Sequence, residues 1–161
     1  MSFFSFIASD FPLKDVENTK IEFLSIKEAE KRNIPLHDWL ENMDIDREKQ
    51  ILMYCEKEED LDEIAISTYL YDGDIEIKQV TEKKYVSSLS WRYTDERALQ
   101  LIDYIKKHLE VAEDIEFWNI WIGNGDADKP CEITKCHVDS LEKSHLKYMS
   151  ECYDRAFIVK R

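Results

Sequence analysis

The segment from Trp91 to Ile122 constrains the fold more than any other, because it predicts a strand end, a helix and a buried strand in succession. Thr94 can cap the helix, and Asp95 and Glu96 follow in the first turn, where the helix dipole favours anions. Apolar residues at three- and four-residue spacing place one helical face on a core: Ala98, Leu101, Ile102, Ile105 and Leu109. The residues predicted to face solvent are Arg97, Gln100, Asp103, Lys107 and Glu110. Cations suit the last turn, which contains Lys106, Lys107 and His108.

The stretch from Ile115 to Ile122 predicts an interior strand. Successive side chains of a strand point to opposite faces, and here both faces are largely apolar and rich in aromatic and β-branched residues. Trp118 and Trp121 lie on opposite faces. We expect both rings to pack in the core, since a large ring dominates burial wherever it packs.

Residues 84–161 predict the element order β-α-β-β-α-β, which is the ferredoxin-like order of supersecondary units. Its last two strands are expected at Glu132 to Val138 and at Ala156 to Val159. The N-terminal half would add strands to this sheet or form a small sheet beside it. We therefore predict an α+β fold, with an antiparallel or mixed sheet and helices on one face. No linker rich in Pro, Gly or Ser divides the chain, so residues 1–161 are expected to form a single domain.

Four local signals organise the N-terminal half. Ser2 to Ala8 is typical of a strand, and the continuous apolar run from Ile51 to Cys55 predicts a buried one. Ser25 can cap a short helix, with Glu28 at the capping-box position. The sequence Asp72-Gly73-Asp74 predicts the turn of a hairpin.

Trp39 and Leu40 form the only bulky apolar pair in the polar stretch from Leu36 to Lys49. We expect them to be buried, because isolated bulky residues in a long loop usually anchor it to the core. An exposed apolar spot is the alternative.

The chain is strongly acidic, with 22 Lys and Arg against 35 Asp and Glu, a formal net charge of -13 and a sequence pI of about 4.7. Such a charge repels phosphate backbones and anionic lipids, so neither nucleic acid nor a membrane is an expected partner. The same field attracts a basic protein and speeds the encounter. Keeping the protein dissolved is the simpler use of this charge.

A cytoplasmic location is expected. The apolar start from Phe3 to Ala8 has no basic residue before it and is ended by Asp10 and Pro12, which does not fit a secretory signal. No stretch approaches the roughly 20 apolar residues that cross a bilayer. The cysteines are too sparse for a disulfide scaffold, so reduced thiols are the simpler interpretation. They are Cys55, Cys131, Cys136 and Cys152.

An acidic run from Glu56 to Glu63 is the candidate partner-binding site. Its carboxylates belong to Glu56, Glu58, Glu59, Asp60, Asp62 and Glu63. A solvated loop is the simpler interpretation of such a run, and an acidic patch for a basic partner is the functional one.

Motifs of the common enzyme classes are absent from the sequence. Three glycines cannot supply a GxGxxG or a Walker loop, and no Gly-x-Ser-x-Gly elbow is present. We therefore assign no catalytic residue and predict no cofactor.

No metal site is predicted. Four possible zinc ligands lie close together in the sequence: Cys131, Cys136, His137 and His145. They lack the spacing of zinc ligands, and in a strand Cys136 and His137 would point to opposite faces. Three residues are similar to the start of a calcium loop: Asn124, Asp126 and Asp128. Lys129 and Lys135 stand where that loop needs Gly and Glu.

Two stretches carry a family resemblance. They are residues 3–13, FFSFIASDFPL, and residues 91–98, WRYTDERA, with the later Trp118-Asn119-Ile120-Trp121. They resemble a family of small acidic proteins of uncharacterised function from low-GC Gram-positive bacteria, and this resemblance implies neither an activity nor a site. In size and charge the chain is also similar to immunity proteins, which neutralise toxins.

Three functions remain open at this point. The charge, the acidic run and the lack of catalytic motifs favour a non-catalytic binding protein, such as an immunity-type protein that engages a basic partner. The alternative is a small enzyme or small-molecule-binding domain whose pocket is built from scattered residues, with Arg92, Tyr93, Trp121 and His137 as candidates. The third is a self-associating protein that uses an uncovered sheet face or edge, since sequence alone leaves the oligomeric state unknown.

Overall fold

Eight strands and four helices are present in the residues that the computed structural model describes, which are 2–41, 44–68, 80–122, 132–151 and 153–161. The strands are β1 (Ser2–Ser9), β2 (Glu22–Leu24), β3 (Leu52–Tyr54), β4 (Ala65–Ser67), β5 (Tyr85–Ser90), β6 (Asp114–Ile122), β7 (Glu132–His137) and β8 (Arg155–Lys160). The helices are α1 (Ile26–Lys31), α2 (Asp38–Glu41), α3 (Asp95–His108) and α4 (Lys143–Glu151). Two 3-10 turns lie at Glu58–Asp62 and Val138–Ser140.

Six of these strands form one mixed sheet in the order β4-β5-β1-β6-β8-β7, and β2 pairs with β3 in a separate two-stranded sheet. Among the described strands, β7 and β8 are the parallel neighbours, and the other pairs are antiparallel. The predicted α+β fold with a mixed sheet is therefore confirmed.

The predicted order β-α-β-β-α-β is confirmed for β5, α3, β6, β7, α4 and β8. The N-terminal strand takes the central place, because β1 pairs antiparallel with both β5 and β6. As a result, β5 and β6 run in the same direction with one strand between them. Pairing on both sides also makes β6 the interior strand that its sequence predicts, since β8 lies along its other edge.

The chain divides into two compact units. Residues 1–17 and 62–161, here called the sheet unit, contain the six-stranded sheet with α3 and α4. Residues 18–61, here called the small unit, contain β2, β3, α1 and α2. Each unit has buried residues of its own. The single domain that the sequence predicts for residues 1–161 stays a prediction. The buried apolar residues of the small unit are Leu24, Ile26, Ala29 and Leu40.

One large apolar cluster joins the sheet to both long helices. Phe117 and Phe157 from the sheet belong to the same buried cluster as Leu101 of α3 and Leu146 of α4. Both helices therefore cover the same face, as predicted. A smaller cluster on the opposite face contains Phe6, Ala8, Trp118, Ile120 and Ala156, and the rings of Phe6 and Trp118 stack with centroids 5.9 Å apart.

Both predicted helix caps are present. Thr94 accepts a hydrogen bond from the backbone N–H of Arg97 at 3.1 Å. Ser25 and Glu28 form both halves of a capping box at the start of α1, which satisfies two donors that the helix would otherwise leave unpaired. Asn33 follows α1 with φ of 56°, a left-handed conformation that Asn tolerates at a helix end.

The prediction of a buried strand at Ile51 to Cys55 is wrong. Leu52–Tyr54 does form β3, but its middle residue Met53 is largely exposed. A strand in a two-stranded sheet has only one neighbour, and here only one of its faces is packed. The prediction for Trp39 and Leu40 is half right: Leu40 is buried and Trp39 is exposed.

Some expectations fall outside the described residues. They are the hairpin turn at Asp72-Gly73-Asp74, the loop that contains Asn124, Asp126 and Asp128, and the thiols Cys131 and Cys152. None of the helices in the described part of the chain has the length and apolar composition needed to cross a membrane.

Candidate functional site

The small unit carries an open apolar face on its two-stranded sheet, here called the Phe23–Met53 face and formed by Phe23, Ile51 and Met53. Phe23 lies directly opposite Met53 in the antiparallel register, and the two residues are 57% and 58% exposed. Ile51, two positions before Met53, is also exposed. Leu24 points to the opposite face and is buried, because successive strand residues alternate. This sheet therefore has one packed face and one open face.

The acidic run starts two residues after β3, and its first members lie on the surface. Glu56, Glu58 and Glu59 are all exposed. Lys57 lies among them, with its Nζ 3.8 Å from a carboxylate oxygen of Glu59, too far for a direct hydrogen bond. These three acids, here called the Glu56–Glu59 group, keep their charge on the surface.

Asp60 has a structural role within the same run. Its carboxylate accepts a hydrogen bond from the backbone N–H of Lys57 at 3.2 Å and lies 3.6 Å from Nζ of Lys20. Its backbone carbonyl accepts from Nδ2 of Asn18 at 2.8 Å. Asp60 therefore holds the 3-10 turn in place.

The last two acids of the run belong to the sheet unit and are paired there. Glu63 accepts from Nε and Nη2 of Arg97 at 3.2 and 3.0 Å, and Asp62 lies 3.4 Å from Nη1 of Arg92. The prediction that Arg97 faces solvent is wrong, because Glu63 and the carbonyl of Arg92 satisfy its guanidinium in a buried position. Of the six acids predicted as one site, three are therefore exposed on the surface, and Asp60, Asp62 and Glu63 have partners within the fold.

The sheet unit contains a cavity of about 330 Å³. Its lining is formed by Ser9, Asp10, Phe11, Lys83, Val111, Ala112, Glu113, Asp114 and Arg161. Polar and charged residues dominate this list, so a molecule bound there would be small and polar.

Ser9 and His108 form a buried pair at one wall of this cavity. Ser9 Oγ lies 2.7 Å from Nε2 of His108, and burial lowers the pKa of His108, which favours the neutral ring over the cation predicted for the last turn. A serine beside a neutral histidine is the arrangement that activates a nucleophile. Ser9, however, is buried, and its Oγ also donates to the backbone carbonyl of Asp114 and accepts from the backbone N–H of Phe11, each at 3.3 Å. The pair instead links β1 to α3.

Lys83 is held at the cavity by two carboxylates. Its Nζ lies 2.7 Å from both Asp10 and Asp114. Burial disfavours the charged form of Lys83, but the hydrogen bonds and charges of these two acids outweigh it and raise its pKa. The hydrogen bond from Lys83 in turn lowers the pKa of Asp10. A lysine held charged in this way is an ion-pair partner and not a nucleophile.

The residues considered for a scattered pocket have separate partners, and none of the four lines the cavity. Tyr93 donates to Oδ1 of Asp95 at 2.8 Å, which raises the pKa of Tyr93. Arg92 is engaged with Asp62 as described above, and Nδ1 of His137 accepts from the N–H of Asp139.

Trp121, the fourth of these candidates, is 42% exposed and lies with its ring centroid 5.8 Å from that of Tyr153. The prediction that both tryptophans of β6 are buried is therefore right for Trp118 and wrong for Trp121. The core cluster under the helices includes Phe117 on the same face but does not extend to Trp121 near the strand end.

Within the described ranges, no group of three or more His, Cys, Asp and Glu side chains could hold a metal ion. Cys136 packs against the core cluster while His137 is exposed, so the two point to opposite faces of β7 as predicted. Cys55 and Cys136 are free thiols, and burial raises the pKa of Cys136.

No protein-family model, curated protein or solved structure matches the chain. The sequence resemblance described above therefore stays a resemblance, and a function has to be argued from the geometry of the described residues.

Proposed function

We propose that this chain is a non-catalytic cytoplasmic protein that binds a basic protein through an acidic surface, as an immunity-type protein binds its toxin. The observation that carries the proposal is the Glu56–Glu59 group, three exposed carboxylates within four consecutive residues. Exposed acids of one sign steer a basic partner toward a surface and raise the association rate. The net charge of -13 acts in the same direction.

Lys57 is the cation that lies among these acids, and its ion pair with Glu59 is 3.8 Å long and largely exposed, so water screens it. Three further cations of the small unit form ion pairs with other acids of the unit: Lys27 with Glu48, Arg32 with Glu22, and Arg47 with Glu30. These three cations are therefore paired with other acids, and the segment 56–59 itself has three acids and one lysine.

The experiment uses the tagged chain as bait in a lysate of the source organism at about 50 mM and about 500 mM salt, because the Debye length falls steeply between these concentrations. The protein recovered at low salt is identified, produced separately and titrated against the purified chain. We expect a basic protein whose association rate falls with salt.

Two variants with equal charge loss separate a local site from the overall charge. One carries Glu56→Gln, Glu58→Gln and Glu59→Gln. In the other, three exposed acids of the sheet unit are replaced by the substitutions Glu96→Gln, Asp103→Asn and Glu110→Gln. We expect the first to slow association about tenfold and the second to slow it less than about twofold. Equal effects of the two variants, or no basic protein at low salt, would contradict the proposal.

Small-molecule binding is a second candidate function, supported by the cavity of about 330 Å³ in the sheet unit. That volume lies at the lower end of the range for ligand pockets. Ligand screening by thermal shift, with Lys83→Met as the site variant, tests it. A ligand that stabilises the wild type but not this variant would favour binding at the cavity over the acidic surface.

A further inference from the structure

The Phe23–Met53 face leaves apolar side chains exposed to solvent, whereas Leu24 on the opposite face of the same sheet is buried. Phe23 and Met53 are paired across the two strands and are each more than half exposed, with Ile51 beside them. A group of exposed apolar residues with polar residues around it is one mark of a protein interaction site. Aromatic residues and Met are also enriched at protein interfaces.

Acidic residues follow this face in the sequence. Glu56 follows Met53 by three residues, so it lies within about 10 Å along the chain at 3.3 Å per residue. An apolar centre with a polar, solvent-accessible rim is the usual anatomy of a protein interface. The face and the Glu56–Glu59 group together have that composition.

The negative charge of the Glu56–Glu59 group distinguishes between two possible binding partners of this face, a second copy of the chain and a basic protein. A second copy of this chain would bring its own Glu56–Glu59 group and its share of a -13 charge, and like charges at an interface are repulsive. A basic protein carries the complementary charge. An apolar side chain on that protein would pack on Phe23 and Met53 while flanking Lys or Arg meet the acids.

We infer that the Phe23–Met53 face is the docking surface of this chain, and that its partner presents an apolar segment flanked by Lys or Arg. The inference rests on the proposed function and adds to it the surface and the chemistry of the partner. Affinity comes from the apolar contact, and the acids supply orientation and rate.

The test uses a synthetic probe, the capped peptide Lys-Lys-Val-Leu-Val-Lys-Lys, titrated into the labelled full chain and followed by amide NMR shifts at about 50 mM salt. We expect signals from residues 21–24 and 51–59 to move. The double variant Phe23→Ser with Met53→Ser should weaken peptide binding about tenfold. The single variant Met53→Gln should weaken it less, and the amide spectrum itself reports whether each variant is folded.

The matched control removes two equally exposed apolar residues of the sheet unit, as Leu99→Ser with Ile133→Ser, and should leave peptide binding unchanged. A second peptide, Lys-Lys-Ser-Gly-Ser-Lys-Lys, keeps the charge without the apolar centre and should bind more weakly. Equal binding of both peptides, shifts confined to other residues, or no shifts at all would overturn the docking surface. Recovery of a basic partner that is insensitive to Phe23→Ser and Met53→Ser would refute the surface and leave the proposed function intact.

Discussion

The sheet unit and the small unit use apolar strands in opposite ways. In the sheet unit, β6 pairs with β1 on one side and β8 on the other, and Phe117 and Trp118 on its two faces are both buried. In the small unit, β3 has β2 as its neighbour, and Met53 stays in water. An apolar run therefore favours a strand in both places, but neighbours and covering elements decide whether it is buried.

The ion pairs of the two units differ in the same way. Arg97 and Glu63 in the sheet unit have side chains that are 9% and 16% exposed. Lys27 and Glu48 in the small unit are 58% and 74% exposed. Withdrawal from water strengthens the first pair and makes each partner costly to lose, whereas water screens the second.

The largest expected effect compares two phenylalanines. Phe117→Ala should lower the free energy of unfolding by about 3 to 5 kcal/mol, because it leaves a cavity in the core of the sheet unit. Phe23→Ala should change it by no more than about 0.5 kcal/mol, since little contact is lost. Urea unfolding followed by circular dichroism measures both. Similar losses for the two variants would mean that the Phe23–Met53 face is covered.

The second comparison removes one cation from each unit. Arg97→Met should cost about 3 kcal/mol in the free energy of unfolding, because Glu63 would keep a largely buried charge without its partner. Lys27→Met should cost at most about 0.5 kcal/mol, as expected for an exposed pair. Urea midpoints of the two variants give the difference, and a small loss for Arg97→Met would show that water reaches Glu63.

Removal of a helix cap should lower the free energy of unfolding by the same amount in both units. The two caps therefore serve as a reference for the larger differences above. Ser25→Ala and Thr94→Ala should each lower the free energy of unfolding by about 1 kcal/mol, since each leaves a helix N-terminal donor unpaired. Thr94→Ser and Ser25→Asp retain an acceptor and serve as controls. A loss at Thr94 alone, measured by urea unfolding, would indicate that α1 contributes little to the stability of its unit.

The smallest expected effect is the dependence on pH that His108 gives to the stability of the sheet unit. Burial lowers the pKa of His108 from its usual 6.5, so below about pH 6.5 the unfolded chain binds this proton more readily than the folded chain. Stability from the neutral ring is therefore complete above that pH and is lost as the pH falls toward the folded-state pKa.

His108→Gln provides the reference for this pH effect, because the carboxylates titrate in both proteins. The free energy of unfolding of the wild type should fall more than that of the variant between about pH 8 and pH 5. Thermal unfolding at several pH values measures the difference. If the two proteins show the same dependence of stability on pH, the pKa of His108 is not lowered in the folded chain, as a negative charge next to the ring would explain.

Local signals account for most elements of this fold. The spacing of Ala98, Leu101 and Ile105 predicted α3, and Thr94 and Ser25 predicted both caps, because a helix start depends on residues within one turn of it. The acidic run was also visible in the sequence. Its division into the Glu56–Glu59 group and the structural acids was not, since Arg97 and Arg92 are distant from Glu63 and Asp62 along the chain.

The sequence by itself determined the α+β class, the interior character of β6 and the strongly negative charge of this chain, all of which follow from residue type and spacing. Tertiary structure alone decided that β1 lies at the centre of the sheet, that Arg97 and His108 are buried, and that Phe23 and Met53 face water. The physical reason is that burial depends on which distant elements cover a side chain. Periodicity along the chain specifies a face but not the element that packs against it.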